Sequence, residues 1–411
     1  MEKLKVLYIS GSVGLGHVTR DLAIAAQLRQ ELPGIDIQWL AAHPASLLLK
    51  NAGETLLPEA EDYANESLFA EEAARGARLS LLTYLLRAKG ARKNNVAIFR
   101  DVVTSRPFDL VIGDETYEIS LALAREPGLK KFPFVMVYDF VGLDPMTRHP
   151  LEQIGVYFWN RVWSRNYRLK RKPPYDLGLF VGVPEDVPDK PFGFLLPNRR
   201  EFAKAMYDFI GYVFSFDPAA YSNRTEVKRS LGYSSHPLVV ASIGGTAIGK
   251  ELLELCGQAH EIARTKVPFL HMLLVTGPRV SAASLSLPRH EHIETREFVP
   301  NLYEHFAACD VAIVQGGATS TLELTALRRP FLYFPIEGHS EQANVAKILE
   351  QRGAGVRMVF SKTTPALLAE KMVSLLGAEV TYPGIPADGA RVAAQLLCRL
   401  LDQSGQPRKR A

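Results

Sequence analysis

Val314-Gln315-Gly316-Gly317-Ala318-Thr319-Ser320-Thr321-Leu322-Glu323 is the stretch on which the fold turns. An apolar run of strand length leads into two glycines and three hydroxyl side chains, which open a segment of helical periodicity. A helix start of this kind presents unpaired N–H groups and the positive end of the helix dipole, a ready site for phosphate oxygens. The pattern then repeats. Pro330 precedes a second apolar run, and Ile336-Glu337-Gly338-His339-Ser340-Glu341-Gln342 opens another helix. Glu323, Glu341 and Gln342 are thereby aimed at one crevice above strand ends, where ligands bind in open α/β sheets.

Outward from this stretch, strand-length apolar runs alternate with helical segments in both directions. They lie at 238–242, 269–275, 292–295, 311–314, 331–334 and 355–358, and in the first half at 5–10, 35–41, 109–113, 134–138 and 177–181. Such alternation predicts an α/β protein with two parallel sheets wrapped by helices. A chain of 411 residues exceeds one ordinary core and suits two. The strand-like segment before Pro218 and the polar run 221–229 put the join near 217. The expected units are 1–217, a first Rossmann-like domain; 218–386, a second; and 387–411, a helix returning to the first domain, followed by a basic tail.

Composition narrows the function classes. With 47% hydrophobic and 22% charged residues the chain reads as globular, and its net charge of +4 suits phosphate ligands without pointing to nucleic acid. Cys256, Cys309 and Cys398 are odd in number and widely spaced, so no disulfide framework or zinc cluster is expected. The first ten residues run straight into a strand without the pattern of a signal peptide, and a cytoplasmic location is expected. The apolar and basic stretches 79–92 and 156–172 read by default as core packing with a solvated edge. A lipid or acceptor surface, and with it peripheral membrane contact, is the alternative.

Two further glycine turns follow the first strand of each half. Gly11-Ser12-Val13-Gly14-Leu15-Gly16-His17-Val18-Thr19-Arg20 lacks the dinucleotide spacing, and no acidic residue ends the second strand to hold a ribose, which disfavours an NAD enzyme. Gly244-Gly245-Thr246-Ala247-Ile248-Gly249-Lys250-Glu251 nearly matches a P-loop, but Glu251 stands where a magnesium-binding Ser or Thr is required. A looser reading stays open: backbone amides and the Thr246 hydroxyl can bind a diphosphate.

The region 298–353 resembles the donor-binding segment of the UDP-glycosyltransferases and of the bacterial N-acetylglucosaminyltransferase that makes peptidoglycan lipid II. Residues 317–323 match the G-x-x-S-T-L-E core of the plant-type signature, and Glu341-Gln342 fall on its acidic-Gln pair for sugar hydroxyls. The resemblance implies a GT-B fold, two Rossmann-like domains facing across a cleft, with 1–217 binding the acceptor and 218–386 the donor, and a nucleotide sugar, UDP-linked in that family, as substrate with no cofactor. It implies donor contacts from Gly244, Gly245, Thr246, Phe298, Val299, Gln315, Gly317, Thr319, Ser320, Thr321, Glu323, Glu341 and Gln342. His17 falls on the histidine ending the family's first glycine loop, and Asp114 resembles its aspartate partner. Gln315 departs from the histidine that many relatives carry.

With no D-x-D and no E-x7-E from Glu323, neither metal dependence nor the usual retaining signature is supported. The expectation is an inverting, metal-independent transferase: His17, with a pKa near 6.5, takes the proton of an acceptor hydroxyl and Asp114 steadies the ring. Glu115 is the substitute base should His17 not serve. The acceptor is a small molecule or a lipid, with Gly14, Gly16, Arg20 and Glu115 on its side. A nucleotide-sugar hydrolase or epimerase stays open because some share a G-x-G-H-x-x-R loop, as does a non-catalytic sugar-nucleotide binder.

Overall fold

The computed structural model describes residues 3–11, 16–64, 74–75, 78–79, 81–145, 148–244, 248–288 and 291–404, without the side chains of 74–75, 78–79, 81–89 and 340. The chain divides into two compact units: Met1–Phe69, Leu81–Ser215 and Pro386–Ala411 form the first, and Ala70–Ser80 with Phe216–Ile385 the second.

The first unit is built on β1 (Lys5–Ile9), β2 (Asp36–Leu40), β3 (Thr55–Leu56), β4 (Leu110–Asp114), β5 (Phe134–Tyr138), β6 (Leu177–Val181) and β7 (Asp208–Gly211). These pair in the order β3-β2-β1-β4-β5-β6-β7, with β1 in parallel register to both β2 and β4. A parallel sheet is covered on both faces, so successive residues of a strand must both be apolar. Leu7, Ile9, Val111, Phe134 and Met136 enter one core, while Val6, Tyr8, Ile112, Val135 and Val137 enter the other.

The second unit repeats the plan with β8 (Leu238–Ser242), β9 (His271–Val275), β10 (Ile293–Arg296), β11 (Val311–Gln315), β12 (Phe331–Phe334) and β13 (Val356–Arg357), in the order β10-β9-β8-β11-β12-β13. Its strands pair in parallel and also feed two cores.

The helices that matter below are α1 (Gly16–Glu31), α2 (Tyr117–Arg125), α3 (Pro150–Trp163), α4 (Lys250–Arg264), α5 (Ala318–Ala326), α6 (Ser340–Arg352) and α7 (Gly389–Gln403). α7 buries Ala393, Leu397 and Leu401 in the same core as Ile24 and Leu28 of α1. Its start is fixed by the Gly389 N–H donating to the Tyr212 carbonyl at 3.0 Å, and a Cβ at Gly389 would come within 2.7 Å of that oxygen. The larger side chains of any other residue would push the helix off its seat.

Candidate functional site

In the first sheet β2 lies on one side of β1 and β4 on the other, so the strand order reverses between β1 and β4. Open parallel sheets hold their ligands at such a point, above the carboxyl ends of the strands. Three consecutive strand ends supply the polar groups there. After β1 the chain enters α1, whose first turn carries His17 and Arg20; β4 ends on Asp114; Asp139 follows β5 directly. The turn after β4 is tight. A Cβ at Gly113 would lie 2.0 Å from the Thr116 hydroxyl, and Glu115 adopts a left-handed φ of 52°, a conformation costing a bulky residue about 1–3 kcal/mol.

These groups form one network. His17 Nδ1 lies 3.0 Å from Asp114 Oδ2, and Arg20 Nε donates to the same oxygen at 3.1 Å. The Arg20 fork also donates to Asp114 Oδ1 and to Asp139 Oδ2. Arg20 thus straddles two carboxylates, with Nη2 also 2.9 Å from His17 Nδ1. A guanidinium can only donate and an ionised carboxylate only accept, so we assign the Nδ1 proton to the bond with Asp114, leaving Nε2 as the lone-pair nitrogen of the neutral ring. One layer below, Asp21 accepts from Tyr8 Oη at 2.9 Å and Ser10 Oγ at 2.6 Å, tying α1 to the end of β1.

The charges divide sharply. Burial and the Arg20 cation push the His17 imidazole down, but the Asp114 carboxylate, its hydrogen bond and Asp139 outweigh them and raise its pKa to about 9. Burial works against Asp114 too, yet Arg20 and His17 hold its carboxyl well below the usual range. Asp139 is likewise lowered against its burial by Arg20 and His17. Glu115 goes the other way, raised well above its ordinary value by burial and then by Asp139. At neutral pH the network sets two cations, His17 and Arg20, against two anions, Asp114 and Asp139, and pushes Glu115 toward its neutral form. The ring expected to titrate near 6.5 is therefore largely imidazolium at pH 7, because two carboxylates face it.

The second sheet has the same reversal, between β8 and β11. The turn after β8 has Gly244 at φ 78° with open space around its Cβ direction, and ends on Gly249 at φ 107°. Gln315, the last residue of β11, donates its amide to the Ile248 carbonyl, and a Cβ on Gly249 would lie 2.0 Å from that nitrogen. Gln315 is thus a latch between two turns rather than a group left open to a ligand. α5 starts at Gly317 without a side-chain cap, with Thr319 and Ser320 half-buried in its first turn. Thr321 is different: it is fully buried, and its hydroxyl donates back to the Gly317 carbonyl at 2.8 Å.

Glu323, only 7% exposed, makes no hydrogen bond or ion pair with the described residues, and burial raises its carboxyl to about 8. Gln342 is also buried, its carbonyl accepting from the Ile336 N–H at 2.8 Å, so it pins the turn after β12. Its neighbour Glu341 sits half-buried in the first turn of α6, whose His339 cap accepts from Gln342 N at 3.4 Å. After β10, Val299 belongs to the core while Phe298 is half-buried beside it. Gly14, Gly245 and Thr246 lie outside the described residues; Gly16 is the first residue of α1. Among the described residues no three His, Cys, Asp or Glu side chains are grouped to hold a metal.

Residues 239–381 match the glycosyltransferase family 28 C-terminal domain. The chain is 30% identical over 190 residues to a glycosyltransferase of Methanosarcina acetivorans, covering 44% of this chain and 45% of that one. A glycosyltransferase of Methanosarcina mazei aligns at 26% identity over 89% of each chain. Over 46% of this chain and 54% of the relative, it is 26% identical to the UDP-N-acetylglucosamine–N-acetylmuramyl-(pentapeptide) pyrophosphoryl-undecaprenol N-acetylglucosamine transferase of Symbiobacterium thermophilum. Among solved structures the kitacinnamycin glycotransferase superposes with a TM-score of 0.58 at 15% identity, covering 98% of this chain and 96% of that one. The fold is GT-B. The relatives and the matched domain family are glycosyltransferases. In GT-B terms the matched residues take in β8 to β13 and both glycine turns of the second unit, whereas the His17 network lies outside them.

Sequence reasoning missed Asp139, Asp21, Tyr8 and Ser10. A usable signal existed for Asp139. It directly follows an apolar strand that neighbours β4 in the sheet, as Asp114 ends β4 itself.

Proposed function

We propose that this protein is an inverting, metal-independent glycosyltransferase that moves a sugar from a nucleotide diphosphate sugar, a UDP-sugar by its relatives, to an acceptor hydroxyl. The carrying observation is the His17–Asp114 pair at the reversal point of the first sheet, 3.0 Å apart. In the reaction the acceptor oxygen bonds to the anomeric carbon as the carbon–oxygen bond to the diphosphate breaks, and the electron pair leaves with the diphosphate. His17 Nε2 takes the hydroxyl proton, and Asp114 stabilises the imidazolium that results. One displacement inverts the anomeric centre.

The departing diphosphate gains negative charge. The start of α5 and the turn after β8 offer backbone N–H groups to it, a form of stabilisation that acts without metal. We assign Glu323 to accept from ribose hydroxyls, which would give its buried carboxyl the partner it lacks among the described residues. We assign Thr319, Ser320 and Glu341 to contacts with phosphate or sugar; Thr321, Gln315 and Gln342 act by holding the turns. The acceptor is a small molecule or a lipid, the second in keeping with the undecaprenol named for the Symbiobacterium relative. We place the enzyme in the cytoplasm.

Mass spectrometry of products formed from UDP-sugars with a cell extract as acceptor source, with the anomeric configuration read by NMR, tests this reading. A transferred sugar with inverted configuration is expected. Free sugar or an epimer formed without acceptor would replace it by a hydrolase or epimerase, and binding without turnover by a sugar-nucleotide sensor.

A further inference from the structure

His17, Arg20 and Asp21 stand at i, i+3 and i+4 on α1 and so share one face of the helix. That face meets two neighbouring strands. His17 and Arg20 reach Asp114 at the end of β4, whereas Asp21 reaches the end of β1, where Tyr8 Oη donates to its Oδ1 at 2.9 Å and Ser10 Oγ to its Oδ2 at 2.6 Å. Tyr8, Ser10 and Asp21 are all buried.

The turn between β1 and α1 carries Gly11, Gly14 and Gly16. Glycine leaves the backbone many directions, so such a turn does not by itself set the roll of the helix that follows. The Asp21 bonds do. Ser10 lies just before the turn and Asp21 in the second turn of α1, so their contact fastens the helix to the strand across the loop. A helix gripped by one strand alone can roll about its axis; gripped by two parallel strands about 4.8 Å apart, it cannot. A Cβ built on Gly11 would lie 3.6 Å from His17 Cγ, so the imidazole rests against bare backbone there.

The far end of α1 is held through the same tyrosine. Arg29, in the last turn, donates to both oxygens of Glu54 at 2.6 Å each, Glu54 accepts from Trp39 Nε1 at 2.6 Å, and the Trp39 ring stacks on Tyr8 with centres 4.4 Å apart. For packing alone a carboxyl at position 21 is a costly choice. Val18, Ala25 and Leu28 on the same face are fully buried, and burial and then the Asp114 anion push the Asp21 carboxyl up against the pull of Arg20 and the two hydroxyls. An apolar side chain would fill the space at less cost but would fix no direction.

We propose that Asp21 is a positioning residue: through Tyr8 and Ser10 it fixes the roll of α1 and so keeps His17 in register with Asp114. That His17 then acts as the base rests on the transferase reading; the placing of its ring does not.

Ser10→Ala with Tyr8→Phe removes both hydroxyls without changing a formal charge, and Asp21→Asn leaves one acceptor oxygen for two hydroxyls. NMR titration of the His17 ring in the full chain tests the placing without reference to activity. The wild-type ring should titrate near 9, and in the variants the midpoint should fall toward the ordinary 6.5, because a ring that has left Asp114 loses the bond that raises it. UDP release from a UDP-sugar with cell-extract acceptor should slow by about tenfold or more, since a misplacement of about 1 Å can cost about 10² in rate, while UDP affinity in calorimetry stays unchanged. In a His17→Ala background the same changes should cost no further rate, as holds when one residue acts only through another. Thermal melting checks that the variants fold, and Ser10→Ala alone serves if the double change unfolds the unit. An unchanged His17 midpoint in the folded variants would overturn the proposal. So would an equal loss of rate with and without His17, the mark of a general effect on the unit. If His17→Ala itself transfers sugar at near wild-type rate, the base reading fails and the ring titration alone decides the proposal.

Discussion

At the carboxyl edge of the first sheet, polar side chains answer one another: Arg20 bridges Asp114 and Asp139, and His17 bonds Asp114. At the same edge of the second sheet, Glu323 is buried with no partner among the described residues, and α5 begins without a side-chain cap. Two units of similar topology have thus treated the same location in opposite ways. A group that must take a proton needs its orientation and charge fixed beforehand. A group that must bind a polar ligand can leave its own partner to be supplied by that ligand, at the cost of a raised pKa in the meantime.

The sharpest break of this contrast is His17→Ala. Loss of a general base costs about 10² to 10⁴ in rate, so turnover should fall by that order while calorimetry shows UDP binding unchanged. Transfer at near wild-type rate would move the base to Glu115 or to the acceptor. Arg20→Met comes next. It leaves two buried carboxylates without their shared cation, and chemical denaturation should show a loss of about 3–5 kcal/mol, the usual result of removing one partner of a buried pair. A loss under 1 kcal/mol would mean that the network is solvated rather than mutually held.

On the other sheet, Glu323→Ala should leave folding stability nearly unchanged and weaken UDP binding by about 1.5–3 kcal/mol, the worth of hydrogen bonds to a charged group. Unchanged affinity in calorimetry would remove Glu323 from the donor site. The smallest effect is a displacement along the pH axis. His17 must be neutral to accept a proton, so kcat/KM should climb with pH, pass half its limit near 9 and level off above that. Asp139→Asn removes an anion that raises the ring's pKa, so the same limb should move to lower pH. For stability the sign runs the other way. A folded pKa raised above the ordinary 6.5 stabilises fully below that value, and this contribution is lost as pH rises through about 9.

Every expected run holds a strand, the two-residue Val356–Arg357 included, but Thr55–Leu56 and Asp208–Gly211 were not expected. The runs expected at 5–10, 134–138 and 177–181 appear as Lys5–Ile9, Phe134–Tyr138 and Leu177–Val181, because strands buried on both faces read as unbroken apolar stretches. Thr55–Leu56 has only two residues, too few for any period, and the strand Asp208–Gly211 carries only two apolar residues. In the site, the pairing of His17 with Asp114 was legible through the family pattern, while Asp139 was passed over although it directly follows its strand, much as Asp114 ends β4. Thr321 and Gln342 looked ligand-facing by position. The structure turns Thr321 to the carbonyl four residues back and Gln342 to a loop N–H, choices that composition does not record. For 156–172 the sequence offered core packing with a solvated edge or a lipid or acceptor surface; α3 buries Val156 and Asn160 on one face and exposes Phe158 and Val162 on the other. The stretch 79–92 lies partly outside the described side chains.

The return of α7 to the first unit sets an order of assembly during synthesis. Phe216–Ile385 is one continuous stretch and can close its sheet as soon as it leaves the ribosome, although it is made later. The first unit must wait with the flank of α1 bare until Ala393, Leu397 and Leu401 emerge, roughly 180–190 residues after β7 and, at about 5–20 residues per second, about nine to forty seconds later. A nascent chain stalled near Ile385 would expose that flank to chaperones, so the half of the protein translated first is the half finished last.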